Sequence, residues 1–431
     1  MPKRLLRGPE ASQSWALLLA LALPFLLTFK RGLADTTLGL FVLVGLAIAF
    51  KRREAAWFRQ PWLYAAFALS AVLVLLSPFS LNPGESAVDA FLALRWPLFA
   101  ALLAWFLLAD PRRLRLFEGA VAVLVGFLLF DGMWQYVLGH DLFGVPRHSA
   151  ARLTGPFDSP LIGSFTDRLW FVALAGVWAW GLYRHGVVAI GSALVLSALG
   201  ALFVLLTGER SAFLLFLLGT AIVFVGVFLR LPRWRLPLVA MGGIAVALVV
   251  ALAVSQPKMV ERTVSSTAQA IATPTENVYG QNFIAAWQAF EQQPFTGVGA
   301  RQFQAYCQTT PEVRESYEQL GFPECVAHLH NHYSGMLAEG GLFAFLAFVA
   351  MVALLVREAF RRDARGGSPG QLRAYFAIAL LMVTFWPIQV SMEYFNGWAG
   401  ALSWMGVGWA LARAGRPFGC EVANENLCRS V

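Results

Sequence analysis

Long apolar segments recur along almost the whole chain and limit the folds that it can adopt. Each run is roughly 17–22 residues long, enough to cross a hydrocarbon layer about 30 Å thick as a helix. Only 13% of the 431 residues are charged, whereas a soluble domain carries about 25%. The sequence therefore predicts an all-α, polytopic integral membrane protein in contact with membrane lipid. We expect about twelve transmembrane helices, near residues 15–29, 35–50, 61–79, 88–109, 116–138, 161–183, 187–206, 211–229, 236–254, 333–356, 371–390 and 398–414.

One long polar stretch separates the ninth span from the tenth and divides the chain into four regions. We expect a transmembrane bundle of nine spans over residues 1–254, a small helical cap over 255–332 and three further spans over 333–414. A tail over 415–431 follows. The basic N-terminal segment resembles the start of a signal peptide, but no small-residue cleavage site follows the first apolar run. We therefore expect a retained helix.

Lysine and arginine are distributed unevenly between the two predicted faces of the membrane. If both ends of the chain lie on one side, the loops of that side carry about two thirds of the 33 Lys and Arg residues, as cytoplasmic loops do. We therefore expect both termini in the cytoplasm and the cap on the outside. The net charge of +8 is explained by this bias, so no nucleic acid partner is expected.

The polar region between spans nine and ten has the pattern of folded helices rather than of a linker. Phe283, Trp287 and Phe290 are spaced i, i+4 and i+7, which is the apolar face of an amphipathic helix. Pro294 and the glycines that follow end this helix. A second helix is predicted over 311–320, with a proline in its first turn.

The four cysteines fall into two groups. Cys307 and Cys325 share the external region, where an oxidising compartment would allow a disulfide. Two unpaired thiols are equally compatible with the sequence. Cys420 and Cys428 lie in the predicted cytoplasmic tail, where thiols stay reduced.

The stretch CVAHLHNHY holds three of the six histidines within five positions, His328, His330 and His332. Asn331 is a suitable N-cap for the next span, which places His332 in the first turn of that helix. In this arrangement the three rings do not converge on one ion, so no metal is expected. One neutral imidazole, with an ordinary pKa near 6.5, can instead act as a general base.

Charged residues on the predicted external face suggest what such a base would act on. Glu209 and Arg210 occupy a short turn between two apolar helices, and charges so close to hydrocarbon usually have a partner or a ligand. Arg152 and Arg301 lie in predicted external loops. The alternatives to a binding role are that Arg152 only makes its loop soluble and that Arg301 is only a turn residue. A guanidinium group matches the geometry of a phosphate. These arginines beside a base therefore indicate the transfer of a group from a phosphate-bearing donor.

Arg168 falls near the external end of the sixth predicted span, in FTDRLWF. A long basic side chain at this depth usually extends to the membrane interface. We expect Arg168 to do so, with Asp167 neutralising part of its charge; contact with a lipid phosphate is the alternative.

Three stretches resemble the bacterial O-antigen ligases and the related O-antigen polymerases. They are TGERSAFLLFLLG (207–219), QQPFTGVGARQF (292–303) and HLHNHYSGMLAEGGLFAFLAFV (328–349), in the order found in that family. RLTGPFDSP (152–160) also resembles the pattern that precedes them. Together these stretches cover roughly residues 150–350, and the histidine–asparagine pair followed by a helix with Glu and Gly-Leu is the most specific of them.

The resemblance implies an O-antigen ligase of the inner membrane. Such an enzyme transfers a glycan from undecaprenyl pyrophosphate to lipid A–core oligosaccharide on the periplasmic face, with neither a metal nor another cofactor. By position, His330 becomes the candidate base and Arg210 a contact to the donor phosphate. The other predicted substrate contacts are Arg152, Arg301, His328 and Glu209.

Three alternatives remain open at this point. An O-antigen polymerase and a protein O-oligosaccharyltransferase belong to the same superfamily, whereas a flippase of lipid-linked sugars would use the arginines for binding alone. The chain also departs from the family at YGQNF, where relatives often have arginine and this chain has Gln281. Arg301 or Arg262 is expected to take that task.

Overall fold

The structure, a computed structural model, describes residues 9–149, 152–184, 186–230, 232, 235–255, 265–322, 324–363, 368–389 and 393–412. Over these residues it consists of helices and turns without strands, and the predicted all-α class is confirmed for them. The helices before the cap are α1 (Pro9–Phe29), α2 (Arg31–Arg52), α3 (Pro61–Leu76), α4 (Pro83–Ala93), α5 (Arg95–Leu102), α6 (Pro111–Leu138), α7 (Ile162–Arg184), α8 (Gly186–Leu206), α9 (Arg210–Arg230) and α10 (Arg235–Ser255). The helices that follow are α11 (Ser266–Ala272), α12 (Val278–Gln292), α13 (Phe303–Thr309), α14 (Pro311–Gln319), α15 (His332–Asp363), α16 (Ser368–Thr384) and α17 (Gly397–Ala410).

Several of these helices have the length and hydropathy of membrane spans. Within the described ranges, six helical regions are long and apolar enough: Arg31–Arg52, Pro61–Phe79, Pro83–Leu107, Pro111–Leu138, Arg210–Arg230 and His332–Arg361. Shorter apolar helices cover Ser14–Phe29, Val195–Leu206, Arg235–Ile244 and Arg373–Thr384. The chain is thus a multi-pass helical membrane protein, while the count of about twelve spans stays a prediction.

Helix α7 lies in the interior of the bundle, where α6, α8, α9, α16 and α17 pack against it. Glycines allow two of these neighbours to approach closely. A Cβ added at Gly200 of α8 would lie 2.5 Å from the Trp170 ring, and one at Gly219 of α9 would lie 2.3 Å from the Phe171 ring. Small residues are typical of such contacts between membrane helices. Polar side chains on α7 are consequently enclosed by protein.

The cap contains the two helices that the sequence predicts. Helix α12 begins after Asn277, whose side chain accepts a hydrogen bond from the Gly280 N–H at 2.9 Å, and it ends at Gln292, just before Pro294. Helix α14 covers Pro311–Gln319, close to the predicted 311–320. Both predictions are confirmed.

The face of α12 that packs against α15 is the small and polar one. Ala285, Ala286 and Ala289 are buried there, whereas Phe283 is 40% exposed and Trp287 is 52% exposed. Alanine lets the backbones of the two helices come close together, and the large aromatic rings are left on the outer surface. The periodicity therefore identifies the helix, but not the face that contacts the protein.

A disulfide between Cys307 and Cys325 closes the cap, with Cα atoms 6.0 Å apart. This resolves the alternative that the sequence leaves open for these two cysteines. The bridge lies in a small hydrophobic core that belongs to the cap, separate from the core of the bundle. That core contains Ala285, Ala286, Ala289, Val298, Phe303, Tyr306, Val313, Tyr317, Leu329 and Ala338.

Replacement of both Cys307 and Cys325 by serine should loosen the cap without unfolding the membrane helices. The bridge closes a loop with a sequence separation of 18, and a cross-link of that size contributes about 3 kcal/mol. Limited trypsin digestion should cut at Arg314 faster in the double variant than in the oxidised wild type. Equal digestion rates of the two proteins would show that packing alone holds the cap.

The loop after α12 fits into an interruption of helix α15. Gly341 breaks that helix with φ +65° and ψ −170°. The N–H groups of Val298 and Gly299 donate to two carbonyl groups of α15 at 2.9 and 3.0 Å. Gly297 has φ +65°, and a Cβ on it would lie 2.4 Å from the backbone of Glu339. The GVG stretch is thus required for a close approach between two backbones.

The variant Gly297→Ala should lower the unfolding temperature of the protein strongly. An L side chain with positive φ costs about 1–2 kcal/mol, and contact with the α15 backbone adds an overpacking cost of about 1–3 kcal/mol or more. Gly321→Ala is the matched control, because Gly321 has φ +81° and nothing within 4 Å of an added Cβ. Equal shifts for the two variants in detergent-solubilised protein would contradict the proposed backbone contact.

Candidate functional site

Asn331 fixes the histidine segment to the start of helix α15. Its Oδ1 accepts hydrogen bonds from the N–H groups of Tyr333 and Ser334 at 2.8 and 3.0 Å, as an N-cap does. Its Nδ2 donates to the carbonyl oxygens of Pro387 and Gln389 at 2.9 and 2.6 Å. The predicted N-cap is confirmed, and the same side chain also ties the histidine segment to the loop after α16.

His330 has an unusual backbone conformation for a residue that is not glycine. Its φ is +58°, in the left-handed region. Its ring centroid lies 4.2 Å from that of His328 and 6.3 Å from that of Tyr279. Burial, together with the neighbouring His328, lowers the pKa of His330 to about 4. The imidazole is therefore neutral at pH 7 and able to accept a proton.

The other two histidines have different surroundings. His332 is buried in the first turn of α15, with ring centroids 6.1 Å from Phe348 and 5.5 Å from Phe385. His328 Nε2 lies 3.5 Å from Nδ2 of Asn396. Burial and the charge of Arg301 lower the pKa of His328. No group of three or more His, Cys, Asp or Glu side chains in the described part of the chain is placed to hold a metal ion.

Glu209 holds the turn before α9 against the start of α7. One carboxylate oxygen accepts a hydrogen bond from the Gly163 N–H at 2.6 Å, and the other accepts from the N–H and hydroxyl of Ser164. A carboxylate at the N-terminus of a helix is stabilised by the free N–H groups there. Both oxygens of Glu209 are thus engaged with α7, and the geometry assigns this side chain a structural contact.

Arg210, the first residue of α9, is half-buried. Among the residues that the structure describes, no carboxylate lies within 4 Å of its guanidinium. Glu209, its neighbour in sequence, is directed to α7 instead. The positive charge of Arg210 is consequently uncompensated by any carboxylate of the described residues, and it lies at the N-terminus of a helix, which itself favours anions.

Arg152 lies close to the same turn. The N–H of Leu153 donates to the carbonyl of Thr207 at 3.2 Å, which joins the loop before α7 to the α8–α9 turn. The Arg152 charge acts on Glu209, and its buried Nε has no hydrogen-bond partner within the described ranges. Two of the predicted arginines, Arg152 and Arg210, are therefore brought to one place.

Arg301 lies in the GVGARQF loop with φ +59°, the second left-handed residue of the candidate site. Its side chain is 64% exposed, with Nη1 3.6 Å from Asp89 Oδ1. It lines an open groove of about 460 Å³ beside the start of α4. Gln281, in contrast, is buried in the cap, where its Nε2 donates to Ser316 Oγ at 2.6 Å. Arg262 lies outside the described residues.

The expectation that Arg168 extends to the membrane interface is wrong. Its side chain is 1% exposed, because helices surround α7 and leave it no path outward. Nη1 donates to Asp167 Oδ1 at 2.8 Å and to the Ser164 carbonyl at 2.7 Å, while Nη2 donates to Gln389 Oε1 at 3.3 Å. The predicted contact with Asp167 is confirmed as a buried ion pair.

Arg168 completes a buried hydrogen-bond path between the two parts of the candidate site. The path runs from Glu209 through Ser164 and Arg168 to Gln389, whose carbonyl accepts from Asn331. The path ends at Glu209 and Asn331, which directly adjoin Arg210 and His330 in the sequence. The α8–α9 turn and the histidine segment are thereby fixed relative to each other.

Sequence reasoning missed the contributions of Gln389, Asn396 and the buried acid Glu393. Gln389 lies at the end of the predicted span over 371–390, and Glu393 and Asn396 lie in the stretch after it, which reads as an ordinary connection. Asn396 caps α17 and contacts His328, and Glu393 is 2% exposed. The pair Arg168 and Asp167 was a signal in the sequence that could have pointed to them. Ionisable residues inside an apolar span generally have partners on neighbouring segments.

Comparison with known proteins agrees with the position of these features. The family model described as O-antigen ligase matches residues 192–349. The matched region contains the α8–α9 turn with Arg210, the GVGARQF loop with Arg301, and the histidine segment with the start of α15. No curated protein matches the chain. The match over residues 192–349 supports membership of the superfamily of O-antigen ligases and polymerases, and it points to a glycosyltransferase-like membrane enzyme.

Proposed function

We propose that the chain is an O-antigen ligase. It transfers a glycan from undecaprenyl pyrophosphate to lipid A–core oligosaccharide on the periplasmic face of the inner membrane, with both of its termini in the cytoplasm. The observation that carries this proposal is the neutral, half-buried His330, connected through a buried hydrogen-bond path to the turn of Arg210. Glycan transfer from a pyrophosphate donor needs two groups. One is a proton acceptor, and the other is an uncompensated cation.

In the proposed reaction, an imidazole nitrogen of His330 takes the proton from a hydroxyl group of the acceptor sugar. The hydroxyl oxygen attacks the anomeric carbon of the donor glycan and forms the new glycosidic bond. The bond between that carbon and the pyrophosphate oxygen breaks, and undecaprenyl pyrophosphate leaves with the electron pair. Attack from the face opposite the leaving group inverts the anomeric configuration.

Charged groups around the site have different parts in this proposal. Arg210 and Arg152 bind the donor pyrophosphate, aided by the N-terminus of α9. Arg301 is the third arginine, beside the groove at the start of α4, where an acceptor with its own charged groups can enter. His328 shapes the pocket next to His330, with a ring-centroid distance of 4.2 Å. Glu209 holds the turn that carries Arg210.

The pH dependence of transfer should reflect the low pKa of His330. A base is lost when it is protonated, so kcat/KM should stay level from about pH 8 down to about pH 5 and fall only near the His330 pKa of about 4. Initial rates with purified protein across this range measure the profile. An acidic limb centred near the ordinary histidine pKa of about 6.5 would contradict the role of a desolvated His330.

One reconstitution distinguishes the ligase from its alternatives. Purified protein in vesicles receives a defined undecaprenyl-pyrophosphate-linked glycan and one of three acceptors: lipid A–core, a second lipid-linked glycan, or a pilin-type protein. Glycan on lipid A–core supports the proposal. Chain extension instead identifies a polymerase, a modified protein identifies an oligosaccharyltransferase, and movement of the donor across the membrane without a new glycosidic bond identifies a flippase.

A further inference from the structure

Two buried acids lie between the loop of Arg301 and the segment of His330. Glu339 belongs to α15 and Glu393 to the loop before α17, and each residue is 2% exposed. Their carboxyl groups are within hydrogen-bonding reach of each other. Gly335, one turn before Glu339, makes room for this contact, since a Cβ there would lie 2.8 Å from Glu393 Oε1.

The two carboxyl groups face different segments of the candidate site. Glu339 Oε1 accepts a hydrogen bond from the Phe303 N–H at 3.0 Å, and the N–H of Arg301 also faces this carboxyl. The N–H of Leu329 faces the carboxyl of Glu393. Each acid therefore stands beside a residue in the left-handed region, Arg301 in one case and His330 in the other.

Those two conformations need support from their surroundings. A left-handed backbone costs about 1–2 kcal/mol for a residue with a side chain, and it persists where neighbouring structure over-determines it. Arg301 and His330 lie in separate loops, about 30 residues apart in sequence. The acid pair is a contact that links both loops to one another through the start of α15.

The pair also requires a proton. Glu339 Oε2 and both carboxyl oxygens of Glu393 lack a hydrogen-bond donor of good geometry from the described residues. Two carboxylates cannot both ionise at such close range in a buried site, whereas one proton between them supplies the missing donor. The guanidinium of Arg301 acts on both groups and balances the remaining negative charge.

We propose that Glu339 and Glu393 share one proton and are positioning residues, which hold the Arg301 loop and the His330 segment against each other in their left-handed conformations. Neither carboxyl is a catalytic group. The structural part of this proposal rests on the contact between the two acids, whereas its consequence for glycan transfer rests on the proposed function.

Glutamine and methionine variants at each position test the shared proton. Glutamine keeps the length of glutamate, accepts through its oxygen and donates permanently through its nitrogen. Methionine has a similar length and packs well in an apolar interior, but it makes no comparable hydrogen bond. Hydrogen exchange of the full-length protein in lipid nanodiscs reports on the two loops without any need for activity.

We expect Glu339→Met and Glu393→Met to raise amide exchange by about tenfold or more at residues 301–303 and 328–330, as loss of a buried hydrogen bond to a charged group does. Exchange in α14 and in the part of α13 that follows Phe303, next to the disulfide, should not change. Glu339→Gln and Glu393→Gln should retain the protection of the wild type. Protected loops in the methionine variants overturn the positioning role, and glutamine variants that behave like the methionine variants overturn the shared proton.

Transfer assays on the same preparations separate this inference from the proposed function. If the inference and the proposed function both hold, the glutamine variants transfer glycan and the methionine variants do not. If the wild type transfers no glycan to lipid A–core, the proposed function fails. The exchange data then still decide whether the acid pair positions the two loops.

Discussion

Replacement of His330 by alanine should reduce glycan transfer to lipid A–core by about 10²–10⁴-fold, the usual contribution of a general base. The ring is neutral at physiological pH because burial lowers its pKa to about 4. The left-handed backbone of His330 holds the ring next to His328, with a ring-centroid distance of 4.2 Å. The measurement is the initial rate of transfer by purified protein, together with capping of lipopolysaccharide in cells that lack the native gene.

Three further variants locate the effect at His330 itself. His148→Ala removes an exposed histidine of the loop between α6 and α7 and should leave the rate unchanged. His328→Ala removes the neighbouring ring and should have an intermediate effect. His330→Gln keeps a polar side chain but no base of comparable strength, so it should be as inactive as His330→Ala. If His330→Gln instead supported normal function, binding without proton transfer, as in a flippase, would be the better reading.

The sequence predicts local structure well where the controlling contacts are local. Asn331 is recognised as an N-cap because its partners, Tyr333 and Ser334, are two and three residues away. The two cap helices are recognised by the spacing of their side chains and by Pro294 and Pro311, which end or begin a helix irrespective of the rest of the fold.

Contacts between distant segments explain what the sequence could not show. Arg168 meets Gln389 across a separation of 221 residues, which makes a buried ion pair of what looked like an interfacial arginine. The loop containing Gly297 fits the interruption of α15 at Gly341 through close backbone contacts. The periodicity of apolar residues in the sequence does not predict such contacts. Glu393 has no distinctive pattern around it, yet it lies beside Glu339 in the folded chain.

Arg210 is the cation on which binding of the donor pyrophosphate should depend most. Replacement by alanine should reduce the transfer rate by about 10²–10³-fold, as removal of one electrostatic contact to a developing negative charge does. Arg210→Lys should recover only part of the rate, because an ammonium group keeps the charge but cannot form the bidentate contact of a guanidinium. The residue has no carboxylate partner within the described ranges, so its removal should leave stability unchanged.

Arg314→Ala is the matched control, because it removes a cation from the cap that is half exposed and paired with Glu318. Its transfer rate and its unfolding temperature should equal those of the wild type. The comparison is informative because Arg210 and Arg314 both change the net charge by one unit, so a general effect of charge on donor attraction would appear in both variants. A loss of transfer that is specific to Arg210→Ala, at unchanged stability, requires a contact between the donor and the α8–α9 turn. Equal transfer rates for the two variants would remove Arg210 from the mechanism and leave Arg152 and Arg301 to bind the donor.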